Sequence, residues 1–188
     1  AQDHKRVLEG DKGKNTGGMG AYSPSRLLND ELEKKILNKI IKPTLEGLSN
    51  LKVEYKGFLY AGLMIVKNEP YLIEYNVRMG DPECQTILPR LKTNLFEIIE
   101  AVVDENLNQI NIDWFDSKTL SIVQCSKGYP NSYENNQEIK ELQSPDLILP
   151  LLNANTKGTS IVNLMERLPS IIIKLINFNF FPFLRCLP

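Results

Sequence analysis

A chain of 188 residues is long enough for one domain and part of a second, and its 42% hydrophobic and 24% charged content is that of a folded globular protein. Twenty-two basic against 23 acidic residues leave a net charge of −1, so no basic excess exists to hold a nucleic-acid backbone or an anionic membrane. The three cysteines, Cys84, Cys125 and Cys186, form no CxxC pair, which speaks against a disulfide framework or structural zinc and for a reducing, cytoplasmic home.

The chain opens on Ala1 with no basic-then-apolar leader, which reads as an interior starting point in a longer protein. Five of the eleven glycines fall between residues 10 and 20. That density predicts a loop with no regular helix or strand, able to take positive φ and to let another backbone come close. Asn29 or Asp30 caps a helix bearing Leu32, Ile36, Leu37, Ile40 and Ile41, which Pro43 kinks or restarts and Gly47 ends. Residues 58–66, apolar on both faces, read as a buried strand, and residues 71–78 as its antiparallel partner across a four- to five-residue connection.

Gly80, an N-cap at Asp81 and Pro82 in the first helical position then open a helix that ends near Pro89 or Arg90. Another helix carries Leu95, Ile98, Ile99, Val102 and Val103, and a strand at 120–125 precedes the turn Gly128-Tyr129-Pro130-Asn131. This order predicts an α+β or mixed α/β fold. Residues 144–188 hold only six charged groups against 39 in the first 143. Two unlike parts are expected: residues 1–143, and a divergent low-charge tail over 144–188 that is either an out-of-frame stretch or a genuine extension. The apolar run 171–187 is interrupted by Lys174, Asn177, Asn179, Pro182 and Arg185, too often for the ~20 residues of a membrane-spanning helix.

The second strand carries the chemistry. Side chains alternate along a strand, so Glu74, Asn76 and Arg78 share one face, and Glu74 and Asn76 leave the backbone roughly 7 Å apart. One carboxylate and one amide oxygen, with no His or Cys nearby, suit a hard cation such as Mg²⁺ or Mn²⁺, and the planar fork of Arg78 suits phosphate oxygens on that ion. An amphipathic strand with a wet face would look the same. A helix N-terminus after Gly80-Asp81-Pro82 and a glycine-rich loop, both places where anions bind, favour nucleotide or phosphate chemistry. The loop itself is neither a Walker A sequence, since Met19-Gly20 stands where Lys-Ser/Thr is required, nor a GxGxxG dinucleotide loop. His4, beside Lys5 and Arg6, reads by itself as part of a solvated basic patch, and one histidine supports no Ser-His-Asp or Cys-His arrangement.

Four blocks in order carry a resemblance: Gln2-Asp3-His4-Lys5-Arg6, then Asn15-Thr16-Gly17-Gly18-Met19-Gly20-Ala21-Tyr22-Ser23-Pro24, then Gly57-Phe58-Leu59-Tyr60-Ala61-Gly62-Leu63-Met64, then Glu74-Tyr75-Asn76-Val77-Arg78-Met79-Gly80-Asp81-Pro82-Glu83. Together they resemble the phosphoribosylamine–glycine ligase family of ATP-grasp enzymes, over about residues 1–143. The resemblance implies the C-terminal part of an ATP-grasp domain, incomplete, with an antiparallel sheet and flanking helices. It also implies the joining of glycine to 5-phosphoribosylamine with ATP, through glycyl phosphate, to give glycinamide ribonucleotide, ADP and phosphate in purine biosynthesis. Glu74 and Asn76 would hold Mg²⁺ or Mn²⁺, and Arg78 would neutralise phosphate charge as the acyl phosphate forms. The loop 11–18, with Asp11, Asn15, Thr16, Gly17 and Gly18, would bind the phosphoribosylamine or acyl phosphate beside Asp81, Pro82 and Glu83. His4 and Lys5 would line the nucleotide site, and Leu63 or Met64 would touch adenine.

Met79 and Cys84 stand where the family usually has Phe and Thr, and Lys12 and Lys14 where its loop has a small residue and Pro. The family's N-terminal domain and ATP-closing subdomain lie upstream of its matching blocks, so this stretch by itself is expected to bind Mg²⁺-nucleotide weakly and not to turn over. Another ATP-grasp carboxylate–amine ligase, or an inert nucleotide-binding module, is the alternative reading.

Overall fold

The computed structural model describes residues 1–133 and a strand at 170–175. Eight strands and four α-helices form one four-stranded sheet and two hairpins: β1 (Gln2–Asp3), β2 (Arg6–Leu8), β3 (Lys12–Asn15), β4 (Gly20–Ser23), α1 (Asp30–Ile36), α2 (Lys42–Asn50), β5 (Tyr60–Val66), β6 (Glu69–Asn76), α3 (Cys84–Ile87), α4 (Leu95–Val103), β7 (Thr119–Gln124) and β8 (Ser170–Leu175).

The sheet runs β1-β4-β7-β8. Strand β4 pairs antiparallel with β1, through Gln2↔Tyr22, and with β7, through Gly20↔Ile122 to Ser23↔Thr119. Strand β8, inside the low-charge tail, lies parallel to β7 from Thr119↔Ser170 to Gln124↔Leu175. The sheet is therefore antiparallel except at this edge. Its centre is buried: Ala21, Leu120, Val123, Ser121 and Thr119 are each under 5% exposed. Arg90 ties the α3 end to the sheet by donating to Ser23 Oγ at 2.8 Å and Ser117 O at 2.7 Å, and Thr119 donates to Thr86 O.

Several sequence expectations hold. The Asn29 side chain caps α1 by accepting from Leu32 N, as Asn94 caps α4 by accepting from Phe96 N, a service worth about 1 kcal/mol each. Pro43 restarts the first helix: a π-turn over Leu37–Ile41 precedes α2, whose first turn holds the proline, where a missing N–H costs nothing. Strands β5 and β6 form the expected antiparallel hairpin.

Others are corrected. The glycine-rich stretch is not wholly a loop, because Lys12–Asn15 pairs with Arg6–Leu8 as β3. Gly47 does not end its helix, which runs on to Asn50. The hairpin turn is only Lys67-Asn68, both at positive φ (50° and 62°), the primed geometry that matches the twist of flanking strands. Strand β5 is not buried: Met64 and Val66 are 53% and 47% exposed, and across the hairpin Ile73 is 62% exposed. The segment after Gly80 is a turn with a cis Asp81–Pro82 bond, and helix α3 starts only at Cys84 and is four residues long, so neither Asp81 as cap nor a helix N-terminus for anions survives. The apolar run at 171–187 lies outside the described residues apart from β8.

Helices α1 and α2 dock on the hairpin through polar tips. Tyr75 OH lies 2.5 Å from Thr44 Oγ1, and Glu69 receives Lys35 and Lys39 at 2.7 and 2.6 Å. Those two ammonium groups hold the Glu69 carboxyl down to about 2. A depressed carboxylate stabilises the fold above its ordinary range and gives that up as pH falls from about 4.5 towards about 2. Glu69→Gln is therefore expected to flatten the fall in melting temperature between about pH 6 and pH 3, measured by circular dichroism. An unchanged slope would remove the pair from the acid response.

Candidate functional site

The site grows from a crossing of three backbones. His4 N donates to Gly20 O at 2.9 Å, Met19 N to His4 O at 2.7 Å and Thr16 N to Lys5 O at 2.8 Å, so residues 16–20 lie along residues 4–5. Gly18 is buried at φ +126°, and a Cβ there would run into Pro82 and lie 2.9 Å from Asp3 Oδ1. Only glycine lets the loop, the β1 end and the cis-proline turn meet. From the far end of the described chain, Tyr129 OH accepts from Gly17 N at 3.4 Å, and Asn131 Oδ1 accepts from Lys14 Nζ at 2.6 Å.

Charges collect around this crossing. Lys5 Nζ is 2.5 Å from Asp3 Oδ2, whose side chain is 8% exposed, and 3.4 Å from Gly17 O. Burial raises the Asp3 carboxyl against the pull of Lys5. Burial also works to lower Lys5, but Asp3, with Glu83 and Glu74 beyond it, outweighs that and holds the ammonium above its usual range. Lys5 is thus the cation that three carboxylates share. Burial and the neighbouring Glu83, which accepts the Tyr60 hydroxyl at 2.6 Å, push the phenol well up.

At the open end of the hairpin, Glu74 sits opposite Gly62 and Asn76 opposite Tyr60. With no side chain at Gly62 to hold it off, Glu74 lies across that strand, and a Cβ at 62 would be 3.1 Å from Glu74 Cγ. Asn76 Nδ2 donates to Glu74 Oε1 at 3.3 Å, so the two groups the sequence singled out are neighbours in space. No cluster of three or more His, Cys, Asp and Glu among the described residues is placed to hold a metal. One carboxylate and one amide oxygen do fit a hard divalent ion that takes its other ligands from phosphate and water, as Mg²⁺ commonly does.

The remaining candidates fall in different places. Arg78 lies beyond the strand, exposed, donating to Met79 O at 2.8 Å, and so does not share the strand face of Glu74 and Asn76. Asp81 Oδ1 accepts from Gln85 Nε2 at 2.9 Å, Pro82 is buried against Gly18, and Glu83 is only 5% exposed. Asp11, at φ 57°, is at the tip of the β2–β3 hairpin, about 16 Å along the strand from Thr16. Asn15 ends β3, opposite Arg6. The structure brings Thr16, Gly17, Gly18, Pro82, Glu83 and Lys5 together and leaves Asp11 outside. His4 is exposed with its ring beside Tyr22, centroids 5.9 Å apart. Leu63 and Met64 pair with Leu72 and Tyr71 on the open hairpin.

The loop is also less of an anion cradle than its glycines suggest. Gly18 N donates to Thr16 Oγ1 at 3.0 Å, so of the amides at 16–19 only that of Gly17, exposed and weakly held, points to a replaceable partner. Sequence reasoning missed Tyr60 and Tyr129. The pairing of Tyr60 with Asn76 follows from the hairpin register, whereas nothing in the sequence links Tyr129 to a glycine 112 positions away.

Comparison with known proteins shows what the chain is similar to. The family model described as phosphoribosylglycinamide synthetase, ATP-grasp (A) domain, matches residues 1–84. Phosphoribosylamine–glycine ligase of Vigna unguiculata is 44% identical over 162 residues, covering 85% of this chain and 52% of that protein. That of Brucella melitensis is 40% identical over 158 residues, covering 83% and 37%. The crystal structure of phosphoribosylamine–glycine ligase from Thermotoga maritima superposes with a TM-score of 0.57 at 35% identity, over 71% of this chain and 33% of that one. Residues 1–84 are therefore part of an ATP-grasp domain. Within that class the chain is similar to phosphoribosylamine–glycine ligases over most of its length, and it spans about half or less of the length of the relatives it matches.

Proposed function

We propose that the chain is the metal- and phosphate-handling portion of a ligase that joins glycine to 5-phosphoribosylamine at the expense of ATP, through glycyl phosphate. The observation that carries this is the pairing of Glu74 and Asn76 at the open end of the hairpin, with the Glu74 carboxylate among the charges that act on Lys5. Glu74 and Asn76 would hold Mg²⁺ or Mn²⁺, which when bound draws charge from the nucleotide phosphates. Arg78, on the exposed segment just beyond, neutralises charge on the phosphoryl group as it passes to the glycine carboxylate. Lys5 and the Gly17 N–H supply positive ends for the phosphate of phosphoribosylamine or of the acyl intermediate, whose carbonyl carbon the amine then attacks with loss of phosphate. Asn15, Thr16 and Asp81 would lie beside that phosphate with Pro82 packed behind Gly18, His4 would border the nucleotide, and Leu63 and Met64 would offer it an apolar surface.

ATP, glycine and 5-phosphoribosylamine are the partners in this reading, with no nucleic acid. No helix among the described residues is long and apolar enough to cross a membrane. The described cysteines, Cys84 and Cys125, are free thiols, in keeping with a cytoplasmic setting. Binding, not turnover, is the suitable readout for a chain of this span. Calorimetric titration with ADP is expected to show weak binding in Mn²⁺ that vanishes in a chelator; equal heats with and without metal would overturn the assignment.

A further inference from the structure

Tyr60 opens β5 and pairs across the hairpin with Asn76, the last residue of β6. Its hydroxyl reaches past that pairing to Glu83 Oε1 at 2.6 Å. Residues 77–82 thus form a short excursion closed at both ends on one tyrosine, by strand pairing at Asn76 and by the phenol at Glu83. Gly80 fills the inside of the excursion so closely that a Cβ there would lie 2.6 Å from Glu83 Oε2 and 2.7 Å from Tyr60 Cζ. Arg78 rides on the outside, exposed, and donates to the carbonyl of the next residue, a contact that does not fix where the segment stands. Glu83 is 5% exposed, so its carboxylate faces inward to the phenol and not to a ligand.

We propose that Tyr60 is a positioning residue: by holding Glu83 it sets residues 77–82, and with them Arg78, in fixed relation to Glu74 and Asn76. The inference rests on the reading of those two residues as metal ligands and reassigns Glu83 from substrate contact to support. Phenylalanine at 60 would fill the same space without the hydroxyl, so the tie can be removed alone. Glu83→Gln keeps an oxygen to accept the phenol and serves as the conservative rescue.

Two readouts on the full 188-residue chain test it. In hydrogen–deuterium exchange, Tyr60→Phe is expected to speed amides at 77–82 by about tenfold or more, the scale of losing a hydrogen bond to a charged group, while 63–72 stay unchanged. In calorimetry with Mn²⁺ and ADP, the same variant is expected to bind about tenfold more weakly, and in exchange Glu83→Gln is expected to keep 77–82 within about twofold of wild type. Unchanged exchange at 77–82, faster exchange spread evenly over the hairpin, or wild-type affinity despite local loosening would each overturn the proposal. Glu74→Gln separates the two layers: it should lose affinity with no change in exchange. If Glu74→Gln binds like wild type, the metal reading falls and the exchange result alone decides whether Tyr60 holds the segment.

Discussion

Glu74→Gln is expected to weaken Mn²⁺–ADP binding by about 100-fold, because removing a ligand costs at least as much as the 10- to 100-fold seen when a ligand's supporting partner is lost. Two structural facts make this variant clean. Glu74 is exposed and lies over Gly62, so the amide fits where the carboxylate was. Its near neighbour Asn76 keeps a polar atom to bond, so the fold has no reason to move. Glu74 is also one of the three carboxylates that raise Lys5, so the variant leaves Lys5 facing Asp3 and Glu83 alone. Titration of Mn²⁺ with electron paramagnetic resonance, with and without ADP, reads the loss directly. Affinity within about twofold of wild type would take Glu74 out of the metal site and leave Asn76 with no partner to define one.

Why this pair could be read from the sequence, while its surroundings could not, follows from the range of the interactions. Glu74 and Asn76 are two residues apart on a strand, and a strand puts such residues on one face whatever the rest of the chain does. The caps Asn29 and Asn94 and the Pro43 restart are equally local. Arg78 was placed on the same face by extending that period past Asn76, where the strand in fact stops. The glycine-rich stretch misled in the other direction: Lys12–Asn15 has poor strand propensity, yet pairing with Arg6–Leu8 makes it one, a tertiary gain that overrides composition.

The exposure of β5 is not legible in its residues, because an apolar run says that a strand could be covered on both faces, not that anything covers it among the described residues. The two-residue turn was hidden because Lys67 adopts positive φ without being Gly, Asn or Asp. The tie from Tyr60 to Glu83 and the reach of Tyr129 to Gly17 join segments 23 and 112 residues apart, and no local pattern announces either.

Gly18→Ala is expected to destabilise the protein by about 3 kcal/mol, combining left-handed-side backbone strain of about 1–3 kcal/mol with overpacking of similar size. At φ +126° an alanine is strained before any neighbour is counted. The added methyl would then meet Pro82, which is fully buried, and the Asp3 carboxylate, whose Oδ1 would lie 2.9 Å from it while its Oδ2 is held by Lys5 at 2.5 Å. Neither neighbour is the free end of a flexible chain, so relief must come from the backbone, and the backbone is pinned on both sides by the bonds from Thr16 N to Lys5 O and from Met19 N to His4 O. Gly47→Ala supplies the contrast: it lies inside α2 with nothing within 4 Å of a new Cβ, so it should stabilise by about 1 kcal/mol through helix propensity alone. Urea denaturation of both variants gives opposite shifts of the midpoint if the crossing at Gly18 is as tight as its contacts imply. A Gly18→Ala midpoint equal to wild type would mean that the loop, the β1 end and the cis-proline turn do not meet there, and the convergence of Lys5, Gly17 and Glu83 on one site would go with it.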